Sequence, residues 1–88
     1  MALVVKFYGD NCSPCKAMTP IFNEVIEELG IDAEQKNIAD PKVRELAMSA
    51  GVRSIPSFVV FTDNNEILSR SGLMSKEALK SFLEDSIS

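Results

Sequence analysis

Nearly every position from Leu3 to Tyr8 is apolar and strand-favouring, with no alternation. That pattern predicts a strand covered on both faces, at the centre of a sheet. The period then lengthens. Pro14 suits a first helical position, and Ala17, Met18, Ile21, Phe22, Val25, Ile26 and Leu29 recur at helical spacing until Gly30 ends the run. Pro20 falls inside this helix, where it removes one backbone hydrogen bond and is expected to bend the axis at a cost of about 3 kcal/mol. Residues 31–38 alternate only weakly, but their place after a helix predicts a second strand, parallel to the first through a right-handed crossover.

The second half changes character. Asp40-Pro41 has the cap-then-proline form of a helix start, Val43, Leu46, Ala47 and Ala50 form a face, and Gly51 closes it. Residues 57–62 form a strong strand run, Asp63-Asn64-Asn65-Glu66 is rich in turn formers, and residues 67–70 return, which together predict a hairpin. Ser75 caps a last helix whose Ala78, Leu79, Phe82, Leu83 and Ile87 face the sheet. The order βαβ, α, ββα predicts an α/β fold: a four-stranded mixed sheet flanked by three helices, in a single domain spanning residues 1–88. Tyr8, Phe22, Phe58, Phe61 and Phe82 are its expected core aromatics.

Composition narrows the function. Of 88 residues 45% are hydrophobic and 25% charged, enough apolar side chain for one compact core. A net charge of -4 supplies no basic patch, so nucleic-acid binding is not expected. The opening Met1-Ala2-Leu3-Val4-Val5 is too short for a signal-peptide core and no later stretch spans a bilayer, so a cytoplasmic protein without membrane attachment is expected. In that reducing compartment, two cysteines point to catalysis or metal rather than a structural staple. There is no histidine, and one cysteine pair fills only half a tetrahedral site, so zinc or an iron–sulfur cluster would need a dimer.

Both cysteines lie in Gly9-Asp10-Asn11-Cys12-Ser13-Pro14-Cys15-Lys16, between the first strand and the first helix. A thiol at the opening turn of a helix and a second one turn inside lie close enough for a short-loop disulfide. The exposed helix amides stabilise the outer thiolate. Cys12, at the helix end, is the expected nucleophile, and the deeper Cys15 the resolving thiol. The chemistry is thiol–disulfide exchange, a half-cycle in which no cofactor enters.

With these residues in place, the chain resembles the thioredoxin family over nearly its full length, in a short form without the usual first strand and helix. The resemblance rests on Cys12-Ser13-Pro14-Cys15-Lys16, Pro20, Gly51-Val52-Arg53-Ser54-Ile55-Pro56 before the third strand, and Gly72 after the hairpin. It implies a thioredoxin-like fold and a protein-disulfide reductase that acts as a monomer. Re-reduction would come from a thioredoxin-reductase-type enzyme or glutathione. The same resemblance implies a cis peptide at Ile55-Pro56 and a substrate groove edged by Asn11, Ser13, Pro14, Ile55, Pro56, Ser71 and Gly72.

The chain departs from the family pattern at four places. Asn11 stands where a tryptophan usually precedes the first cysteine, and Ser13-Pro14 stands where Gly-Pro is commonest. Lys6 occupies the position of a buried aspartate that manages the inner cysteine's proton, and Gln35 that of its lysine partner. A cation there would favour thiolate and make the protein a weaker reductant. Alternatively, Lys6 runs its stem along apolar neighbours and keeps its amine in water. Two rival functions remain: a glutaredoxin-like, glutathione-dependent activity, against which Arg70-Ser71-Gly72-Leu73-Met74-Ser75 lacks the Gly-Gly and acidic cluster that holds glutathione, and a noncatalytic accessory subunit.

Overall fold

The computed structural model describes residues 2–87. Along the chain it places β1 (Leu3–Tyr8), α1 (Ser13–Leu29), β2 (Ala33–Asn37), α2 (Pro41–Ser49), β3 (Ser57–Phe61), β4 (Ile67–Ser71) and α3 (Lys76–Ile87). The strands form one sheet in the order β2-β1-β3-β4. β1 pairs parallel with β2, and the β1–β3 and β3–β4 pairs are antiparallel. The expected mixed βαβ-α-ββα architecture is therefore present.

Both faces of β1 are covered from Val4 to Phe7, as its nearly continuous apolar run requires. On one face, Val4, Phe58 and Val60 pack with Met18, Phe22 and Val25 of α1 and Leu79 and Leu83 of α3. The rings of Phe22 and Phe58 stack at 5.6 Å between centroids. On the other face, Val5, Phe7 and Val59 pack with Ala47 of α2. Phe61 and Phe82 are only partly buried at the margins of these two cores, and Ala17 and Ala78, expected on apolar faces, are exposed.

Local chemistry fixes the element ends. α1 runs unbroken through Pro20 and stops at Gly30, whose φ of 63° lies in the left-handed region that glycine tolerates. The Asp40 side chain caps α2 by accepting from the Lys42 amide at 2.9 Å, and the Ser75 hydroxyl caps α3 by accepting from the Ala78 amide at 3.1 Å. β2 is shorter than the expected 31–38, because only residues beside β1 join the ladder. Beyond it, the Ile38 amide still donates to the Tyr8 carbonyl. β2 and β4 are the outer strands, and on β2 Glu34 pairs with Lys36 at 3.0 Å. Lys76 of α3 bridges to Glu24 and Glu28 of α1, and Lys80 to Glu28, tying these helices together.

Candidate active site

The site forms where β1 gives way to α1. Asn11, at φ 55°, turns the chain in the left-handed region that asparagine adopts more readily than most residues. That turn delivers Cys12 to the N-cap of α1 in an extended conformation, with Ser13 and Pro14 opening the helix. Cys12 and Cys15 are joined as a disulfide with their Cα atoms 5.2 Å apart. The Cys15 amide donates to Cys12 Sγ at 3.2 Å, and the Lys16 amide to the Cys12 carbonyl at 3.1 Å.

One helix-end N–H is thus aimed at the outer sulfur. No acidic residue stands in the first turn to offset the positive end of the helix dipole. In this oxidised form both cysteines are largely covered, Cys12 at 8% exposure and Cys15 at 3%. Cys12 is the more accessible of the two, and Asn11, Ser13 and Pro14 around it are exposed.

A second loop meets this turn. The Ile55–Pro56 peptide is cis, Pro56 is buried, and its carbonyl accepts from the Gly72 amide at 2.9 Å. Gly72 takes φ 90°, open to glycine but strained for other residues. Ser71, the last residue of β4, pairs with Ser57. Gly9, three residues before Cys12, lacks a side chain where one would collide with Ile55: a Cβ there would lie 2.6 Å from Ile55 Cδ1. Asn11, Ser13 and Pro14 therefore share one end of the sheet with Ile55, Pro56, Ser71 and Gly72. Among the described residues, the backbone N–H and carbonyl of Ile55 make no hydrogen bond.

Lys6 lies elsewhere. It stands on the α1 face of β1, opposite Phe58 of β3 and Gln35 of β2. Its side chain is 1% exposed. The ammonium does not project into water: it donates to Thr19 Oγ1 at 2.7 Å and Gln35 Oε1 at 3.4 Å, with the Tyr8 and Phe22 rings 5.8 Å away. Thr19 passes the contact on by donating its hydroxyl to the Cys15 carbonyl at 3.0 Å, and Gln35 Nε2 donates to Asn23 Oδ1 at 3.1 Å. Burial pushes the Lys6 pKa below its ordinary value.

Thr19 and Asn23 are the residues the sequence reading missed. With Cys15 they form a row at i, i+4 and i+8 of α1, a polar stripe beside apolar Met18 and Phe22. A threonine four residues after a cysteine in a helix is placed to hydrogen-bond that cysteine's carbonyl.

Among the described residues, no three cysteine, aspartate or glutamate side chains converge as metal ligands, and no helix is long and apolar enough to cross a membrane. A concavity lined by residues including Gly30, Asp32, Asp63, Leu68 and Ile87 lies by the C-terminal turns of α1 and α3, at the opposite end of the sheet from the disulfide.

Comparison with known proteins agrees with this geometry. The Thioredoxin family model matches residues 1–85. The thioredoxin of Mycoplasmoides gallisepticum is 33% identical over 88 residues, covering 93% of this chain and 81% of the relative. That of Rickettsia felis is 28% identical over 87 residues, covering 99% and 83%. Among solved structures, a mutant thioredoxin from Halobacterium salinarum superposes with a TM-score of 0.84 at 26% identity, over 99% of this chain and 75% of that one. The J-Trx1 fragment of ERdj5 superposes with a TM-score of 0.80 at 29% identity, over 96% of this chain and 40% of that one. A family match that spans almost the whole sequence, on a fold with a disulfide at the mouth of its first helix, makes this chain a member of the thioredoxin family of thiol–disulfide oxidoreductases.

Proposed function

We propose that the chain, acting as a cytoplasmic monomer, reduces disulfides in extended protein segments, with Cys12 attacking and Cys15 resolving. The observation that carries this division of labour is the Cys15 N–H directed at Cys12 Sγ from the first turn of α1. Once the bond is reduced, that donor and the helix end favour a thiolate at Cys12. The Cys12 thiolate attacks a substrate sulfur, forms a mixed disulfide and expels the other substrate sulfur as a thiolate. Cys15, as thiolate, then attacks Cys12 Sγ, which re-forms the Cys12–Cys15 bond and frees the second substrate sulfur.

The open backbone groups of Ile55 offer two hydrogen bonds to a substrate laid beside them as an added strand. Asn11, Ser13, Pro14, Pro56, Ser71 and Gly72 edge that groove. The dithiol is regenerated by a thioredoxin-reductase-type enzyme or by glutathione. Arg70-Ser71-Gly72-Leu73 after the hairpin favours a protein disulfide over a glutathione mixed disulfide as substrate, because no acidic cluster stands there to hold glutathione.

Turnover of a protein disulfide such as insulin, with dithiothreitol as donor, tests the assignment. Cys12→Ser abolishes turnover, and Cys15→Ser, mixed with the substrate without dithiothreitol, accumulates a substrate-linked species in the mass spectrum that later addition of dithiothreitol removes. Undiminished turnover by Cys12→Ser, or no trapped species with Cys15→Ser, contradicts it.

A further inference from the structure

Among the described residues, Lys6 is a buried cation that no anion contacts. From α1 it faces Thr19 and the ring of Phe22, from β2 Gln35, and from its own strand the ring of Tyr8. Phe58 is its partner on β3. None of these is a carboxylate, and among the described residues no ion pair includes Lys6. A buried charge left in this way is costly unless something nearby neutralises it. One reaction on this scaffold creates a negative charge at the helix to which Lys6 is tied: opening of the Cys12–Cys15 bond. Thr19 links the two features, accepting from the ammonium and donating to the Cys15 carbonyl.

We propose that Lys6 is the counter-charge of the reduced site, held beneath α1 by Thr19 and Gln35, and that it makes this protein a weaker reductant than the same scaffold without it. This rests on the exchange reading above and deepens it. With glutathione as donor, two glutathione thiols each give one electron and become glutathione disulfide, and the Cys12–Cys15 bond breaks. One of their two protons ends on Cys15 Sγ and the other in solvent, while Cys12 remains a thiolate. Lys6 stabilises only the product side, so it draws the equilibrium toward the dithiol. Lys6 and Thr19 are positioning residues, since neither touches the substrate.

The test equilibrates the full chain with reduced and oxidised glutathione at pH 7 and reads the disulfide fraction for wild type, Lys6→Met and Gln35→Glu. Each variant is expected to shift the equilibrium constant about tenfold toward the disulfide, equivalent to about 30 mV. Each also slows alkylation of Cys12 at neutral pH, because the thiolate fraction falls. Gln35→Glu separates this role from a merely structural one: a carboxylate beside the ammonium steadies the fold yet cancels its field at the sulfurs. It also decides the question should Lys6→Met fail to fold. Unchanged constants in both variants, with wild type exchanging normally, overturn the inference alone. A wild type that does not exchange with glutathione or any protein disulfide overturns the reading beneath it.

Discussion

Replacing Lys6 by methionine in the oxidised protein isolates the cost of its charge. Methionine keeps an unbranched stem of similar length, so the space beside Phe22 and Phe58 stays filled and only the ammonium is lost. Four favourable contacts disappear with it. The bond to Thr19 at 2.7 Å is worth about 1.5–3 kcal/mol as a charged hydrogen bond, the 3.4 Å contact to Gln35 much less, and each ring at 5.8 Å roughly 0.5 kcal/mol. Against them stands a dehydration cost of several kcal/mol for an unpaired buried ion.

Gln35, which contacts the ammonium, and Asn23, which accepts from Gln35, are themselves exposed, so the dehydration is partial and the balance is narrow. No polar group is orphaned in the variant, because Thr19 still donates to Cys15 and Gln35 reaches water. The expected net is a stabilisation of about 1–2 kcal/mol at pH 7. In urea, with a slope of about 1–2 kcal/mol per M, the unfolding midpoint rises by roughly 1 M.

The sign of the pH dependence follows from burial. The folded protein holds the Lys6 proton less tightly than the unfolded chain, whose lysine titrates near 10.5. The penalty is complete below the lowered folded value and disappears as pH rises from there through 10.5. The gap between variant and wild type therefore narrows in that alkaline window. A variant midpoint at or below that of wild type, or a gap independent of pH, refutes the reasoning.

Three other outcomes are expected. Gly9→Ala pushes Ile55 Cδ1 aside from a 2.6 Å contact, a flexible tip that yields, while the unfolded chain loses freedom worth about 0.4–1 kcal/mol. Stability in urea thus stays within about 1 kcal/mol of wild type while kcat/KM with a protein disulfide falls severalfold; unaltered turnover would detach Ile55 from the groove. Phe22→Ala empties half of the ring pair with Phe58 and costs about 3–5 kcal/mol by thermal or urea unfolding, a large share of the ~5–15 kcal/mol available to a small domain. Lys76→Met removes a partner that, with Lys80, holds the Glu28 carboxyl below its usual pKa. Its destabilisation is present above the unfolded carboxylate's value near 4.5 and fades as pH falls through the depressed one, as urea midpoints across pH 2–7 would record.

Much of this molecule was legible in its sequence because periodicity and turn chemistry agreed. The nearly continuous apolar run of β1, the helical spacing through Leu29, the Asp40-Pro41 start and the turn formers after Thr62 each mark an element locally. The cysteine pair was legible for the same reason: its spacing and its place at a strand-to-helix junction are local. What stayed hidden is non-local. Whether the Lys6 amine reaches water depends on what α1 and β2 set over it. The answer is Thr19 and Asn23 of α1 and Gln35 of β2, brought together from two places in the chain. The exposure of Ala17 likewise depends on the angle at which α1 meets the sheet, which spacing alone does not fix.

Placing β2 outermost leaves one row of amides and carbonyls without a neighbouring strand. This rim is only five residues long, and Glu34 and Lys36 along it are already engaged with each other. A further copy zipping alongside would have to strip water from both charges, which is how short charged borders discourage fibrous self-association. On this border the charged pair itself is the obstacle to an added strand.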